Sequence, residues 1–345
     1  MKIYTKINKH LLDLGSKSAN ILKILNRLDK KIILVTDKKR LVGTITDGDV
    51  RKNFYSSNSE LTIKNVVNKK PSYLYQNYSN RKISSIDKKK IRFVPIIDKS
   101  KKIIGLIDLW SSNFLDKSNE VVIFAGGLGK RLRPYTKSIP KPMLKINKKP
   151  HLENLIKKIF KQGFENITIL LFYKYRYILK KLRKNIKGKK IKFIIEKKPL
   201  GTAGGLKNIK LKNDKPILVL NADLITSLDL KNLLYYHNAS SSDLTVSVKQ
   251  KIDRLAYATV NLKQNKILSL EEKPQRNYYF NAGIYIIEKK LIKLLKKNEK
   301  LDMPELIEKS IKKNFKVRAF NVYEEWIDYG SKEVYEKLKG KNDNY

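Results

Sequence analysis

The sequence predicts an α/β protein with two domains, the second of which contains a mixed, mainly parallel sheet. Two observations lead to this prediction. Strand-like and helix-like segments alternate after about residue 119, an order typical of a parallel sheet with helices on both faces. The chain also has 345 residues, which is too long for one typical domain and long enough for two domains that each bury a core.

A weak internal repeat predicts the first domain. Residues 30–51 and 89–110 share the order of an apolar strand, an Asp-Lys turn, a second strand, a glycine, a further strand and an acidic residue. Each copy follows a helix-like segment, at 18–29 and at 78–88. Two such units that stack together form a small domain. The expected domain spans 1–115, with copies at about 1–60 and 61–115.

The second domain is expected to begin near a polar segment, SSNFLDKSNE at 111–120, because small polar residues between two apolar regions are typical of a domain boundary. We predict that this domain spans 119–340. The closer spacing of its later strands predicts a mixed sheet. The predicted strands are 121–125, 166–173, 190–196, 216–224, 244–250, 257–263, 266–273 and 279–287, and the predicted helices are 151–162 and about 175–185.

The net charge of +44 invites a nucleic-acid interpretation, because clustered cations release counterions from phosphates. The cations are mostly lysines spread along the whole chain, and they fall on the polar faces of segments such as LIKKIFKQ at 155–162. A local basic patch, rather than net charge, marks a nucleic-acid site. We therefore predict no nucleic-acid partner.

The sequence contains no cysteine, so folding needs no oxidising compartment. It has no signal-peptide core at the N-terminus and no apolar run of the length of a membrane span. We expect a cytoplasmic protein with no membrane partner. His10, His151 and His237 lie far apart without partners at metal-ligand spacing, so we expect surface or capping roles for them.

The segment FAGGLGKRLRPYTKSIPKPM, at 124–143, combines glycines, prolines and cations directly after an apolar run. Glycine amides at the carboxyl end of a strand, followed by fixed cations, are typical of a site for a phosphate-rich ligand. Two phosphate-binding motifs do not fit. A dinucleotide fingerprint needs a small residue in place of Leu132, and a Walker loop needs a hydroxyl residue in place of Arg131.

The whole string GG-x-G-x-RL-x-P-x-T-x-x-x-PKPM-L resembles the signature of the sugar-1-phosphate nucleotidyltransferases. The resemblance extends over nearly all of residues 120–340. It implies a Rossmann-like, GT-A-like domain that transfers a nucleotidyl group from an NTP to a hexose 1-phosphate and releases pyrophosphate. The further matching motifs are E-x-x-P-L-G-T-A-G from Glu196, N-A-D ending at Asp223, E-K-P from Glu272, N-A-G from Asn281 and W-x-D-x-G from Trp326.

The resemblance implies a role for each matching residue. Asp223 and Asp328 would share a Mg²⁺ ion. Lys141 would approach the α-phosphate, Lys273 would steer the attacking phosphate, and Arg131 would help glycine amides to hold the departing pyrophosphate. The other implied contacts are with the nucleotide, at Ala125, Gly126, Gly127, Gly129, Leu200, Gly201 and Thr202, and with the sugar, at Glu272, Asn281 and Gly283.

The physical chemistry of this reaction agrees with the implied roles. The attacking sugar phosphate is already largely dianionic, since its second pKa is about 6, so no side chain need act as a general base. The enzyme then mainly positions two polyanions and neutralises their charge. One position departs from the family: Ala258 stands where members generally have a glycine that lets the backbone approach the sugar.

The first domain resembles a tandem pair of CBS modules, a regulatory fold that commonly binds adenine nucleotides. The family's Gly-x-x-Thr/Ser-x-x-Asp pattern is present in the first copy, where the resemblance implies nucleotide contacts from Thr46 and Asp49. In the second copy Asp108 and Ser111 occupy these positions. We expect one adenine nucleotide effector site at most. The alternative is a docking or dimerisation module without a ligand.

Fusion of a CBS pair to this domain resembles enzymes of bacterial surface-sugar and nonulosonate pathways. Those enzymes include guanylyltransferases acting on mannose or glucosamine 1-phosphate, and on this resemblance alone GTP is favoured over UTP or dTTP. We also expect a homo-oligomer. The alternatives are a UTP- or dTTP-specific enzyme and a catalytically silent nucleotide sensor. A silent sensor would have no need for all four of Arg131, Lys141, Asp223 and Asp328.

Overall fold

The computed structural model describes residues 2–16, 20–56, 62–87, 91–109, 119–186, 191–211 and 213–339. The chain divides into two compact units, Met1–Asp116 and Lys117–Tyr345. Most of the predicted boundary segment at 111–120 lies outside the described residues.

The first unit consists of short strands and helices. In chain order its described elements are β1 (Lys2–Tyr4), β2 (Leu11–Asp13), α1 (Ile21–Arg27), β3 (Ile32–Asp37), β4 (Arg40–Thr46), α2 (Asp47–Ser56), α3 (Ile63–Val66), β5 (Leu74–Tyr75), α4 (Asn80–Asp87), β6 (Phe93–Ile97) and β7 (Ile103–Asp108).

Two small sheets of the same design form the first unit. One has the order β2-β3-β4 and the other β1-β7-β6-β5. In each sheet a parallel pair, β2 with β3 or β5 with β6, continues into an antiparallel hairpin. The sheets share a core in which Ile32 and Leu34 pack with Phe93 and Leu106. Strand β1 pairs with β7, so the first residues of the chain belong to the sheet of the second copy.

The repeat contains one strand fewer in each copy than the sequence predicts. The two strands expected on either side of Gly43 are the single strand β4, and those around Gly105 are the single strand β7. The reason is that the ladder to the partner strand continues through each glycine, which pairs with Val35 in the first copy and with Ile96 in the second.

The second unit contains the longer elements. In chain order they are β8 (Glu120–Phe124), β9 (Lys145–Ile146), β10 (Lys149–Pro150), α5 (His151–Lys161), β11 (Asn166–Leu171), α6 (Tyr175–Asn185), β12 (Ile191–Ile195), β13 (Ile217–Asn221), β14 (Leu224–Thr226), α7 (Leu230–Ala239), β15 (Leu244–Arg254), β16 (Thr259–Lys263), β17 (Lys266–Glu271), β18 (Gln275–Ile287), α8 (Lys289–Lys293), α9 (Met303–Lys312), β19 (Val317–Asn321), β20 (Trp326–Asp328) and α10 (Lys332–Lys339).

A seven-stranded sheet with the order β12-β11-β8-β13-β18-β15-β19 forms the centre of the second unit. Strands β12, β11, β8 and β13 run parallel to one another, β18 runs antiparallel to both β13 and β15, and β19 runs parallel to β15. The prediction of a mixed, mainly parallel sheet is therefore confirmed. Strand β8 is central, and Val121, Val122 and Ile123 are completely buried in it.

Amphipathic helices cover this sheet. Helix α5 buries Leu152, Ile156 and Ile159, and the chain turns at Gly163, whose amide donates to the carbonyl of Phe160 over 2.9 Å. Among the described residues, no helix is both long enough and apolar enough to span a bilayer. The parallel strands all deliver their carboxyl ends to one edge of the sheet, where open α/β sheets bind ligands.

Candidate active site

A glycine loop leaves the carboxyl end of β8. Its first amide, that of Ala125, still donates to Leu170 on the neighbouring strand over 2.9 Å. The carbonyl of Gly126 accepts from the amide of Tyr173 over 3.4 Å, and the space beside Gly127 is open. The hydroxyl of Thr136 donates to the carbonyl of Gly129 over 2.8 Å and ties the loop to the segment that follows it. The loop thus presents backbone amides at the sheet edge.

Two cations and two carboxylates converge beside this loop. The ammonium group of Lys141 forms an ion pair with Asp223 and lies 4.0 Å from Oδ1 of Asp328. A β-carbon placed on Gly330 would lie 2.9 Å from Oδ1 of Asp328, 3.0 Å from Nη2 of Arg131 and 3.3 Å from Nζ of Lys141. The structure therefore brings together four of the predicted catalytic and metal-binding residues, although they come from distant parts of the sequence.

A short antiparallel pair brings the two carboxylates together. Asp223 immediately precedes β14, and Asp328 is the last residue of β20. In the ladder of these strands Leu224 pairs with Asp328. The amide of Tyr329 also donates to the carbonyl of Asp223 over 3.3 Å. Because the pair ends at this point, both carboxylates lie at the same end of the ladder.

The side chain of Tyr329 packs next to the backbone that carries the charged cluster. Its side chain is completely buried, and its hydroxyl lies 3.3 Å from the carbonyl of Lys141 and 3.4 Å from that of Ala222. The ring of His151 packs against it edge-on at a centroid distance of 4.9 Å, and Nε2 of His151 lies 3.0 Å from the carbonyl of Leu224. Tyr329 thus fixes the backbone that carries Lys141 relative to the backbone beside Asp223.

The prediction that the three histidines have surface or capping roles is wrong. His10, His151 and His237 are all buried. The structural reason is that each ring finds a polar partner in the interior, as when Nδ1 of His237 lies 2.8 Å from the hydroxyl of Thr245. Burial lowers the pKa of both His151 and His237 to about 4. Neutral rings at ordinary pH pack like other aromatic side chains.

The electrostatics of the cluster fit a divalent cation. Burial raises the pKa of Asp328, and the neighbouring charge of Asp223 raises it further, whereas Lys141 lowers it. Within the described ranges no three carboxylate or imidazole side chains gather as a complete protein metal site. Mg²⁺ is usually held by one or two carboxylates, with waters and substrate phosphates completing the shell. The two aspartates therefore fit that ion.

A cavity of about 240 Å³ opens between the glycine loop and the carboxyl ends of β11 and β13. Seven of the predicted site residues line it: Ala125, Gly126, Gly127, Lys141, Gly201, Thr202 and Asp223. Gly129 and Leu200 lie in the same loops but do not line the cavity. Its other lining residues include Glu196 and Asn221.

Glu196 contributes a buried carboxyl group to this cavity. Its Oε2 accepts from the amide of Leu200 at 3.5 Å, and Oε1 has no hydrogen-bond partner within the part of the chain that the structure describes. Burial raises the pKa of this carboxyl group. In the sequence, Glu196 is the first residue of the E-x-x-P-L-G-T-A-G motif. The sequence alone did not single it out as a site residue.

The loop at 200–204 is held by the entry to α9. Gly201 has φ +77°, and a β-carbon there would collide with the carbonyl oxygen of Leu301. Asp302 accepts from the amide of Thr202 at 2.9 Å, and the Thr202 hydroxyl accepts from the amide of Met303 at 2.8 Å. Asp302 is also the N-cap of α9, in a capping box with Glu305. No sequence motif pointed to Asp302, because its partner lies far away in the chain.

The predicted sugar contacts separate into two groups. Gly283 lies beside the cavity, since a β-carbon there would be 2.7 Å from Nδ2 of Asn221, and its amide donates to Oδ1 of Asn281 over 3.0 Å. Glu272 and Lys273 lie elsewhere, beyond the end of β17. Both side chains are exposed, with Nζ of Lys273 4.0 Å from Oε1 of Glu272. Neither residue lines the cavity.

In the first unit, Thr46 and Asp49 form hydrogen bonds with each other. The amide and hydroxyl of Thr46 donate to Oδ2 of Asp49 over 2.8 Å and 2.6 Å, and the amide of Asp49 donates back to the Thr46 hydroxyl over 3.3 Å. This is the reciprocal pattern of a capping box, here at the start of α2. In the second copy Asp108 pairs with Arg92 at 3.4 Å, and Ser111 lies outside the described residues.

The fold and the cluster define an enzyme that transfers nucleotidyl groups. Residues 120–343 match the family described as Nucleotidyl transferase, and the chain belongs to this family. The family that the motifs predict is therefore confirmed. The match covers the second unit and leaves the first unit unassigned.

Two curated relatives share this part of the chain. The D-glycero-alpha-D-manno-heptose 1-phosphate guanylyltransferase of Campylobacter jejuni is 35% identical over 218 residues, which are 63% of this chain and 96% of that protein. A mannose-1-phosphate guanyltransferase of Pichia angusta is 32% identical over 224 residues, which are 61% of this chain and 60% of that protein.

A solved structure has the same fold. HddC from Yersinia pseudotuberculosis is 34% identical, and the alignment covers 64% of this chain and 97% of that chain with a TM-score of 0.50. HddC has also been solved in complex with GMP-PN; that structure is 33% identical, with the same coverage and a TM-score of 0.50.

Proposed function

We propose that the second unit transfers a guanylyl group from GTP to a sugar 1-phosphate and releases pyrophosphate. The observation that carries this proposal is the convergence of Arg131, Lys141, Asp223 and Asp328 beside the glycine loop. A sugar phosphate and a triphosphate repel each other, and this arrangement supplies cations and backbone amides where both must approach. Binding and charge neutralisation dominate transfers at phosphorus.

In the proposed reaction an oxygen of the sugar phosphate attacks the α-phosphorus of GTP. A new P–O bond forms, the bond from the α-phosphorus to the bridging oxygen breaks, and that oxygen leaves with pyrophosphate. Lys141 stabilises the charge that develops at the α-phosphate. Arg131 and the amides of the glycine loop bind the leaving phosphates, in the way that helix ends and turns with free amides bind anions.

Asp223 and Asp328 would hold the Mg²⁺ ion. When bound, it would draw the two reacting phosphates together and offset their charge. Lys141, whose ammonium group is shared by both carboxylates, would contact a phosphate oxygen beside them. Lys273 keeps its predicted role toward the attacking phosphate, and that role requires the exposed segment that carries it to approach the cavity.

Glu196 supports guanine as the base. A carboxylate only accepts hydrogen bonds. The edge of guanine offers two adjacent donors, the ring N1–H and the exocyclic amino group, whereas uracil and thymine offer one N–H between two carbonyl oxygens. Glu196 lies in the cavity wall, and its carboxyl group, once turned toward the cavity from its position against Gly205, would gain donors from guanine and would face a repelling oxygen in uracil. The guanylyltransferase relatives agree with this choice of base.

For the acceptor we propose a sugar 1-phosphate of the manno series, either mannose or a heptose. The two relatives are named for heptose 1-phosphate and mannose 1-phosphate, and glucosamine 1-phosphate remains the third candidate. The product would be a GDP-sugar. It would serve as a glycosyl donor in surface-polysaccharide or nonulosonate biosynthesis.

Pyrophosphate release tests the proposal. The full chain is incubated with Mg²⁺ and each combination of GTP, UTP, dTTP, CTP or ATP with mannose, heptose, glucosamine or glucose 1-phosphate. We expect release with GTP and a manno-series acceptor. Release with UTP or dTTP alone would support the alternative base. Absence of release from every pair would support a catalytically silent nucleotide sensor.

For the first unit we propose a CBS pair that binds an adenine nucleotide through Thr46 and Asp49. Ligand binding would have to replace the bonds that these two residues now make with each other. Calorimetric titration of the full chain with AMP, ADP and ATP tests this, with Asp49→Ala as the comparison. Equal heats for both chains would favour a docking module without a ligand.

A further inference from the structure

The ammonium group of Lys141 binds the carboxylates that the proposed metal site needs. It donates to Oδ2 of Asp223 and lies 4.0 Å from Oδ1 of Asp328. Among the described residues, the Asp223 carboxylate has no other hydrogen-bond or ion-pair partner. A Mg²⁺ ion held by both carboxylates, at metal–oxygen distances of about 2.0–2.1 Å, would lie beside this nitrogen. The ammonium group and the ion therefore compete for the same two carboxylates.

The side chains of the cluster balance each other's charge. Arg131 and Lys141 supply two cations, and Asp223 and Asp328 supply two carboxylates. Both cations lie near one point, since a β-carbon on Gly330 would be 3.0 Å from Nη2 of Arg131 and 3.3 Å from Nζ of Lys141. A free divalent ion would add its charge next to these two cations, and like charges repel strongly where solvent is partly excluded. The ion alone therefore gains little by entering.

Lys141 is also partly removed from water. Its side chain is 11% exposed, and that of Asp223 is 24% exposed. A buried charge needs a partner, because removal of one member of a buried pair leaves the other uncompensated. The ring of Tyr329, whose centroid lies 5.5 Å from Nζ of Lys141, offers a weaker contact than a carboxylate does. The ammonium group should therefore leave Asp223 only when another anion is offered to it.

The structure has space for such an anion. Lys141 and Asp223 both line the cavity of about 240 Å³ beside the glycine loop, so the ammonium group can turn from the carboxylates into this cavity. The backbone of Lys141 need not move, because its carbonyl accepts from the amide of Leu144 over 3.1 Å and lies 3.3 Å from the hydroxyl of Tyr329. A β-carbon on Gly129 would lie 3.2 Å from Cβ of Lys141, so this glycine leaves room beside the side chain.

We propose that Lys141 excludes a free divalent ion from Asp223 and Asp328 and yields these carboxylates only to an ion that arrives with a nucleoside triphosphate. The phosphates supply the anion that the ammonium group needs, and the carboxylates are then free to hold the ion. The side chain moves during binding, before the chemical step. This inference rests on the proposed role of the two aspartates as metal ligands.

Binding of Mn²⁺, a paramagnetic substitute for Mg²⁺, tests the proposal without turnover. Electron paramagnetic resonance measures free Mn²⁺ in solutions of the full chain that contain neither nucleotide nor sugar phosphate. Lys141→Met is compared with the wild type and with Lys149→Met, which removes the same charge from an exposed position on β10. We expect Lys141→Met to bind Mn²⁺ roughly 10- to 100-fold more tightly than the wild type, the factor for removing one opposing hydrogen bond between charged groups. Lys149→Met should bind like the wild type.

Equal affinity for Mn²⁺ in the wild type and in Lys141→Met would overturn the proposal. An equal gain in both methionine variants would also overturn it, because net charge alone would then explain the gain. Adding Asp223→Asn to Lys141→Met should abolish the tighter binding. If the gain persisted in this double variant, the ion would bind elsewhere and the competition at Asp223 would be disproved.

Thermal unfolding gives a second measurement. Lys141→Met leaves Asp223 without its cation, so we expect a lower Tm that Mg²⁺ alone raises, since a ligand that binds the folded state stabilises it. Mg²⁺ alone should leave the Tm of the wild type unchanged, whereas Mg²⁺ and GTP together should raise it by more than the sum of their separate effects. A Lys141→Met chain that Mg²⁺ does not stabilise, or purely additive effects in the wild type, would contradict the proposal.

Pyrophosphate release plays no part in these measurements. Its absence with every substrate pair would remove the proposed reaction and leave the comparison of Mn²⁺ affinities in place. Equal affinities would remove the proposed competition by Lys141 and leave the reaction in place.

Discussion

The ammonium nitrogen of Lys141 lies 4.0 Å from Oδ1 of Asp328. These residues come from opposite ends of the second unit, and Asp223, from its middle, forms an ion pair with the same ammonium group. One cation thus joins two carboxylates that Tyr329 and the β14–β20 ladder hold in place. A fixed site of this kind neutralises charge without rearrangement during the reaction, which is the main source of electrostatic catalysis.

Removing either carboxylate should therefore stop turnover without unfolding the protein. For Asp223→Asn and Asp328→Asn we expect kcat to fall by a factor on the order of 100 or more, the effect typical of losing one group that stabilises transition-state charge. Pyrophosphate release measures kcat, and circular dichroism measures folding. Asp214→Asn, at an exposed carboxylate away from the site, serves as the control with normal turnover. A near-normal kcat in either site variant would exclude that aspartate from the metal site.

Glu196→Gln should change the preferred base. The amide of glutamine offers one donor and one acceptor, which matches uracil or thymine better than guanine. We expect kcat/KM for GTP to fall by about 10- to 200-fold, the range for losing one buried interaction of about 1–3 kcal/mol. ITP, which lacks the exocyclic amino group, should be a poorer substrate than GTP for the wild type and nearly equal to GTP for the variant. An unchanged ratio of GTP to UTP turnover would show that Glu196 does not face the base.

Asp302→Ala should weaken nucleotide binding more than it slows the chemical step. Asp302 holds Thr202 at the cavity and also caps α9. We expect a higher KM for the nucleotide with a smaller change in kcat, together with a loss of about 1 kcal/mol of stability from the cap. Asp229→Ala is the matched control, since Asp229 caps α7 away from the cavity. It should lose similar stability with no change in KM. Identical KM values for both variants would contradict the role of Asp302.

The contribution of His151 and His237 to stability should increase with pH between about 4 and 6.5. Burial lowers the pKa of His151 and His237 from 6.5 to about 4. The unfolded chain therefore binds more protons than the folded protein in this window, and acidification favours unfolding. Each pKa unit corresponds to 1.36 kcal/mol, so each histidine accounts for roughly 2–3 kcal/mol across the window. Urea unfolding at several pH values measures this, and His237→Gln should flatten the dependence. Equal slopes in wild type and variant would mean that His237 titrates normally.

Much of the second unit follows from local sequence pattern. The alternation of strands and helices predicted the parallel direction of β8, β11, β12 and β13, and the glycine loop was found directly after its strand. Such features depend on residues close together in the chain, where hydrophobic period and turn residues are informative. The motif also named the two aspartates that the structure places on either side of Lys141.

Other features depend on which distant segments pack together. The sequence contains no sign that Asp302 supports Thr202, that the histidines are buried, or that Lys273 lies away from the cavity. The exposure of Val260, Leu262 and Leu270 in the β16–β17 hairpin was not predicted either, since alternation of apolar and polar residues normally marks a strand that packs on a core. By itself the sequence determined the class of enzyme and the secondary structure that carries its glycine loop. Only the tertiary structure decided which side chains meet and which apolar surface remains uncovered, because those outcomes depend on contacts between residues far apart in the chain.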